Sequence, residues 1–257
     1  MLWVFDSGFG GLQTLKYLKN YFADQDFLFL ADSMHVPYGE KSKDEIREYS
    51  TTCINRLYEQ GCETIIIACN TAVAWLYEDR QYHCAKQHLI GVTYAGMQEV
   101  IRGPHRKIGV LCTEATKRLQ VYPTIYTALR GEWTLHVVAA PALVPMIERN
   151  EKDVSLIHAM IQNYVSQFPS DIDCIILWCT HYPVYLQYFR ELYPQCKIID
   201  PGRSSINAIA RHIGYTASKP GTDRSVRICC TGSVEKFQDG MQRLWSEPAI
   251  VEKVLLF

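Results

Sequence analysis

Two stretches of the 257-residue chain end an apolar run on a cysteine followed at once by small polar residues. In "IIIACNTAVAW", residues 65 to 75, Cys69 precedes Asn70 and Thr71. In "IILWCTHYPVY", residues 175 to 185, Cys179 precedes Thr180 and His181. Each cysteine follows a strand-like run and precedes residues able to start a helix. A helix N-terminus lowers a thiol pKa from its free value of about 8.5, so each is expected to be an activated thiol, acting as nucleophile or base. His181 is spaced to polarise Cys179 or to bond a substrate. Asn70, Thr71 and Thr180 offer donors and acceptors suited to a carboxylate or an amine.

Three other uses of such residues compete. "CTH" is a Cys-x-His pair, yet no CxxC, second pair at ligand spacing or HExxH accompanies it, so no metal site is expected. A disulfide switch between Cys69 and Cys179 stays open. A Cys–His nucleophile of hydrolase type leaves the matching Cys69 unexplained. Two like thiols suit inversion of a carbon centre especially well. One base removes a proton from one face, an acid delivers a proton to the other, and the roles exchange with direction. An amino-acid α-proton is a very weak acid, so such a site must also stabilise developing carboxylate charge.

Two further loops follow strand-like runs. "FDSGFGGL" places Asp6 and Ser7 before a glycine-rich entry to a helix at Leu12. It reads as an anion-binding turn or, more plainly, as a tight strand–helix turn capped by Asp6 and Ser7. "ADSMHVPYGEKS", residues 31 to 42, bends at Pro37, exposes backbone at Gly39 and carries a Tyr38 hydroxyl able to bond a carboxylate. Ser42 reads there as a helix cap and His35 as a solvent-facing loop residue.

The elements that must carry these loops are legible as alternating patterns. "LWVF", "FLFLA", "TIIIAC", "LIGVT", "KIGVLC", "LHVVAA", "CIILWC" and "KIID" read as strands. Between them lie helical patterns such as "KSKDEIREYSTTCINRLYEQG", closed by Gly61. Continuous apolar strands alternating with amphipathic helices predict an α/β fold with mainly parallel sheets. The two cysteine stretches repeat one another, and "WVFDSGFGG" is echoed by "IGVLCTEAT" at 108 to 116, which suggests two similar halves with functional loops at carboxyl strand ends. "RGPHRK", residues 102 to 107, is the best candidate boundary.

The bulk numbers exclude several classes. A net charge of −1 with interspersed charges gives no footprint for nucleic acid or an anionic membrane. The apolar runs are too short to span a bilayer, and "MLWVFDSG" has no basic region or long apolar core. The expected location is cytoplasmic, where ten scattered cysteines remain reduced and mostly act as small core residues.

Taken in order, "FDSGFGGL", "AD....PYG" (Ala31, Asp32, Pro37, Tyr38, Gly39), "ACNTA" (68 to 72) and "CTHYP" (179 to 183) resemble the motifs of the glutamate racemases, in the cofactor-independent amino-acid racemase superfamily. The likeness runs from residue 4 to about 240. It implies L- and D-glutamate interconversion without pyridoxal phosphate or metal, D-glutamate supply for bacterial peptidoglycan, and commonly a homodimer. It implies Cys69 and Cys179 as the two bases, Asp6 and His181 as their assistants, and Glu148 in "PALVPMIERN" as a further assistant near His181. Asp6, Ser7, Tyr38, Gly39, Asn70, Thr71, Thr116, Thr180 and His181 would line the substrate site. Two α/β domains related by pseudo-two-fold symmetry would flank the active site. The first would comprise residues 1 to 95 plus 206 to 257, the second residues 96 to 205. Some members bind DNA gyrase, which makes a protein partner a further implication.

Several positions depart from the family pattern. Trp178 stands where a glycine is expected; strand alternation points it away from Cys179 into packing. Leu119 stands for a serine, Ala140 for a frequent cysteine, and Ser233 for an acid in "CTGSVEKF". The first motif begins so near the chain start that the N-terminal extension tied to activation by a peptidoglycan precursor in some members is expected to be missing. An aspartate or other amino-acid racemase, and a non-catalytic binding protein on the same fold, are the rival readings. Retention of both thiols, Asp6, Glu148 and His181 speaks against the latter.

Overall fold

The computed structural model describes residues 1–78, 89–120, 133–216, 225–242, 244–247 and 249–255, with the side chains at 77–78, 94–96 and 100–101 left aside. Cys84 lies outside the described residues.

Among the described residues, ten strands form two parallel sheets. The first holds β1 (Leu2–Asp6), β2 (Phe27–Ala31), β3 (Ile65–Ile67), β4 (Leu89–Gly91), β9 (Val226–Cys230) and β10 (Ile250–Lys253), in the order β10-β9-β2-β1-β3-β4. The second holds β5 (Lys107–Cys112), β6 (Thr134–Ala139), β7 (Cys174–Trp178) and β8 (Lys197–Ile199), in the order β6-β5-β7-β8. The order 2-1-3-4 of the first sheet is repeated as 6-5-7-8 in the second, so the weak sequence repeat is a topological one. β1 corresponds to β5, and β3 to β7. All eight strands read from the sequence are present. β9 and β10 are additional, and they bring the C-terminal part of the chain back to the first sheet.

The strand pattern follows from burial on both faces. In β1 to β3, Val4, Phe27, Phe29, Ala31, Ile66 and Ala68 face one apolar layer, while Phe5, Leu28, Leu30, Ile65, Ile67 and Cys69 face the other. The same alternation governs β7. Ile175, Leu177 and Cys179 face one layer, while Ile176 and Trp178 face another that includes Ala74 from the first half and Met97 from the helix between the sheets. Trp178 is buried away from Cys179, where its ring fills the join between halves.

The helices are set by local signals. α2 (Lys43–Glu59) begins at Ser42, whose hydroxyl accepts from Glu45 N–H while the Glu45 carboxylate accepts from Ser42 N–H. Gly61, at φ +86°, follows its end. α1 (Leu12–Tyr21) follows the glycine-rich loop directly, α3 (Asn70–Glu78) follows Cys69, and α4 (Val92–Arg102) leads towards the second sheet. No described helix is long and apolar enough to cross a membrane.

Candidate active site

The carboxyl ends of β1, β2, β3, β5, β6 and β7 converge, and the segments that follow them line a cavity of about 70 Å³. Both Cys69 and Cys179 line it, with Ser7, Tyr38, Gly39, Asn70, Thr71, Thr180, His181 and Glu148. Asp6 and Thr116, also expected at the substrate, stand one layer back, Thr116 on the helix α5 (Glu114–Arg118).

Cys69 sits between β3 and α3. Its thiol donates to Ser7 Oγ at 3.3 Å and accepts from Ala72 N–H at 3.5 Å, so it does face the helix N-terminus. The expected lowering of its pKa does not follow. Burial first, and then the Asp6 carboxylate, push the thiol up to about 12, although Ser7 and the Ala72 N–H act in the other direction. A helix N-terminus supplies a fraction of a charge, whereas full burial beside a carboxylate opposes a whole one. Cys69 therefore rests as a neutral thiol.

Asp6 is wholly buried at the end of β1, and its Oδ1 accepts from Gly8 N–H at 2.9 Å. Burial raises its pKa to about 6, against the lowering influence of the Gly8 N–H, the His181 charge, the Gly11 N–H and the Thr180 hydroxyl.

The second thiol is placed differently. After β7 the chain forms a turn and then a 3-10 helix, Tyr182–Tyr185, rather than an α-helix. Cys179 Sγ lies 3.9 Å from His181 Nδ1, and His181 Nε2 lies 3.3 Å from Glu148 Oε1 at the end of α6 (Leu143–Glu148). Burial works against charge on His181, but Cys179 and Glu148 together outweigh it and raise the imidazole to about 10. At neutral pH this ring is a cation between a sulfur and a carboxylate.

The remaining residues fix the walls. Asn70 Oδ1 accepts from Thr93 Oγ1 at 2.9 Å. The Thr71, Thr113 and Thr116 hydroxyls lie 2.8 to 3.1 Å from one another, tying α3 of the first half to the loop after β5. Gly39 lies so close to that loop that a Cβ on it would meet Thr113 Cβ at 2.9 Å. Tyr38 does bond a carboxylate, that of the protein's own Asp32, at 2.7 Å. Asp32 also accepts from Thr231 Oγ1 at 2.7 Å and contacts His35 Nδ1 at 2.8 Å. His35, expected to face solvent, instead stacks on Tyr49 with ring centroids 3.8 Å apart.

Thr113, Glu40, Glu114 and the apolar wall of Val36, Pro37, Pro141, Val144 and Pro145 line the cavity without having been expected there. Thr113 lies one residue past β5, as Ser7 lies one residue past β1, whereas the sequence echo of "WVFDSGFGG" by "IGVLCTEAT" sets Cys112 opposite Ser7 and so misses this match by one residue. The acidic and proline residues carry no such spacing. Among the described residues no cluster of three His, Cys, Asp or Glu side chains could hold a metal ion.

Comparison with known proteins places the chain among known families. Residues 14–209 match the family model described as Asp/Glu/Hydantoin racemase. A glutamate racemase from Desulforudis audaxviator is 32% identical, over 98% of this chain and 97% of that protein. The crystal structure of a glutamate racemase isoform from Bacillus anthracis superposes with a TM-score of 0.89, at 26% identity, covering 99% of this chain and 97% of that one. A glutamate racemase from Francisella tularensis, solved in complex with D-glutamate, gives a TM-score of 0.88 at 26% identity, covering 99% and 97%. With the fold and nearly the whole length in common, the chain belongs to the Asp/Glu/Hydantoin racemase family, and within it to the glutamate racemases, which are isomerases.

Proposed function

We propose that this protein inverts the α-carbon of glutamate by two-base proton transfer between Cys69 and Cys179. The observation that carries the reading is the approach of two buried thiols, from equivalent loops of two like sheets, to one cavity, each backed by its own acid–base group. Asp6 stands behind Cys69, and the His181–Glu148 pair behind Cys179.

In one direction the Cys179 thiolate removes the α-proton and becomes a thiol. The electron pair left on carbon delocalises into the substrate carboxylate. Cys69, neutral at rest, then gives its proton to the opposite face and becomes the thiolate. The reverse reaction exchanges the roles. The imidazolium of His181 lies against the sulfur on which charge remains once Cys179 has given up a proton. On the other side, a substrate ammonium offsets the Asp6 carboxylate that holds Cys69 protonated. Neutral donors at the start of α3 and on the threonine loops receive the carboxylates. Among the described residues the cavity lining contains no lysine or arginine, and its hydroxyls and amides offer hydrogen bonds for that task.

The D-glutamate complex of the Francisella relative supports glutamate as the substrate. D-glutamate supply for peptidoglycan in a bacterial cytoplasm, a homodimeric state, and a division into residues 1 to 95 plus 206 to 257 and residues 96 to 205 belong to the same reading. It is tested by Cys69→Ser and Cys179→Ser. Each should lower racemisation of glutamate by about 10³-fold or more, within the 10²–10⁴ that a positioned acid or base contributes, with the far-UV spectrum unchanged. Survival of near-parental turnover in either variant would exclude the two-thiol mechanism.

A further inference from the structure

His181 is held from three directions, and only two of them belong to its own half of the molecule. Cys179 lies at Nδ1 and Glu148 at Nε2. The third is the loop after β1. The Phe9 ring meets the imidazole edge-on, with centroids 5.4 Å apart and an interplanar angle of 65°. Gly10 approaches so closely that a Cβ on it would lie 2.6 Å from His181 Nδ1 and 2.7 Å from Thr180 Oγ1. Phe9 does not line the cavity; it is half-buried against the core layer formed by Leu12, Phe237 and Met241. Its other neighbour is Gly240 in α7 (Val234–Met241), where an added Cβ would stand 2.6 Å from Phe9 Cε1. The C-terminal helix thus seats Phe9, and Phe9 walls the imidazole that faces Cys179.

We infer that Phe9, seated on Gly240, is a positioning residue for His181, so that the first half of the molecule controls the proton transfers of the thiol on the second. The inference rests on the two-thiol reading above. An imidazole wedged between a sulfur, a carboxylate and an aromatic edge has one orientation. A loose wall at Phe9, or a ring pushed forward by a side chain at position 240, turns it away from Cys179. Neither change falls on Cys69 or on Asp6 and Ser7, the groups that serve it.

Because the two enantiomers of a free amino acid are equally stable, kcat/KM falls equally in both directions in any variant, and rate alone cannot separate the thiols. Isotope effects can. The test compares Phe9→Leu and Gly240→Ala with the parent, using α-deuterated D- and L-glutamate. When transfers at Cys179 slow, the α-deuterium effect should rise for the enantiomer from which Cys179 abstracts. It should fall for the other, where abstraction by Cys69 has become reversible. We expect a loss of about tenfold in kcat/KM, equivalent to ~1.4 kcal/mol, with the isotope effects moving in opposite senses. Ser7→Ala, which disturbs the Cys69 side, should reverse both movements. The ¹⁵N resonances of the His181 ring should shift in Phe9→Leu and Gly240→Ala without substrate present.

Isotope effects that stay fixed, or move together, would overturn the inference and leave Phe9 as a core residue. If the parent fails to turn over glutamate at all, the racemase reading falls, and the His181 resonances alone decide. Unshifted resonances then overturn the positioning role, and shifted ones support it.

Discussion

Asp6 and His181 carry opposite burdens in the same cavity. Asp6 is a buried carboxyl whose pKa rises from the usual 3.8 to about 6, while His181 is a buried imidazole raised to about 10. For Asp6, the native protein retains a proton between these pH values that the unfolded chain has lost. Stability therefore falls as pH rises through that window, by about 3 kcal/mol in order of magnitude, and stays lowered above it. Asp6→Asn keeps the shape and the acceptor for Gly8 N–H but removes the charge. In urea unfolding it should be more stable than the parent at pH 8 and gain nothing at pH 4, while racemisation falls. A parent-like stability at pH 8 would contradict the burial of a charged Asp6. The types and spacing of the site residues were readable before folding, because cysteine and polar donors at strand ends are unusual. Their acidities were not. Cys69 is held up by enclosure and by a carboxylate 63 positions earlier in the chain, and neither is visible in "ACNTA".

At the scale of elements, the strand–loop–helix units hold each group at a carboxyl strand end, and local chemistry decides where each unit begins. The capping box at Ser42 starts α2 just after the Tyr38–Gly39 loop. Ser42→Ala should cost about 1 kcal/mol, lowering Tm by roughly 2–4 °C for a chain of this size, with turnover unchanged. A large loss of activity without a change in Tm would mean that the loop, not the helix, depends on Ser42. Ser42 and Gly61 were both legible as helix ends, since caps leave a residue-level signature. β9 and β10 were harder to read. "VRICC" offers only a short apolar run, and β10 is an edge strand with Ile250 exposed, so neither shows the continuous burial that marks the inner strands. The segment after Cys179 was expected to open an α-helix, but Pro183 lies in the first turn of what is a 3-10 helix, leaving Cys179 to depend on His181. Trp178 follows the alternation rule, and its indole packs where a glycine would leave a gap between the halves.

Over the whole molecule, one architecture is used twice and then made unequal. The orders 2-1-3-4 and 6-5-7-8 place like thiols at like positions, which is what a reaction on two faces of one carbon needs. The assistants break the symmetry: a carboxylate lies behind one thiol, and an imidazole–carboxylate pair behind the other. The repeat was visible because strand, cysteine and polar turn recur in sequence. Part of the inequality was visible too, as His181 two residues after Cys179, while the pairing of Asp6 and Glu148 with their thiols came only through family resemblance, since both are far from them along the chain. Glu40, Glu114 and the proline wall become cavity residues only when the sheets are brought face to face. The central claim is tested most directly by following the α-proton of glutamate in heavy water by NMR, with chiral chromatography of the products and both aspartate enantiomers run in parallel. Loss of the α-signal from both glutamate enantiomers, with inversion and with aspartate left unchanged, is the predicted result. A folded, reduced sample that neither exchanges nor inverts glutamate would contradict it.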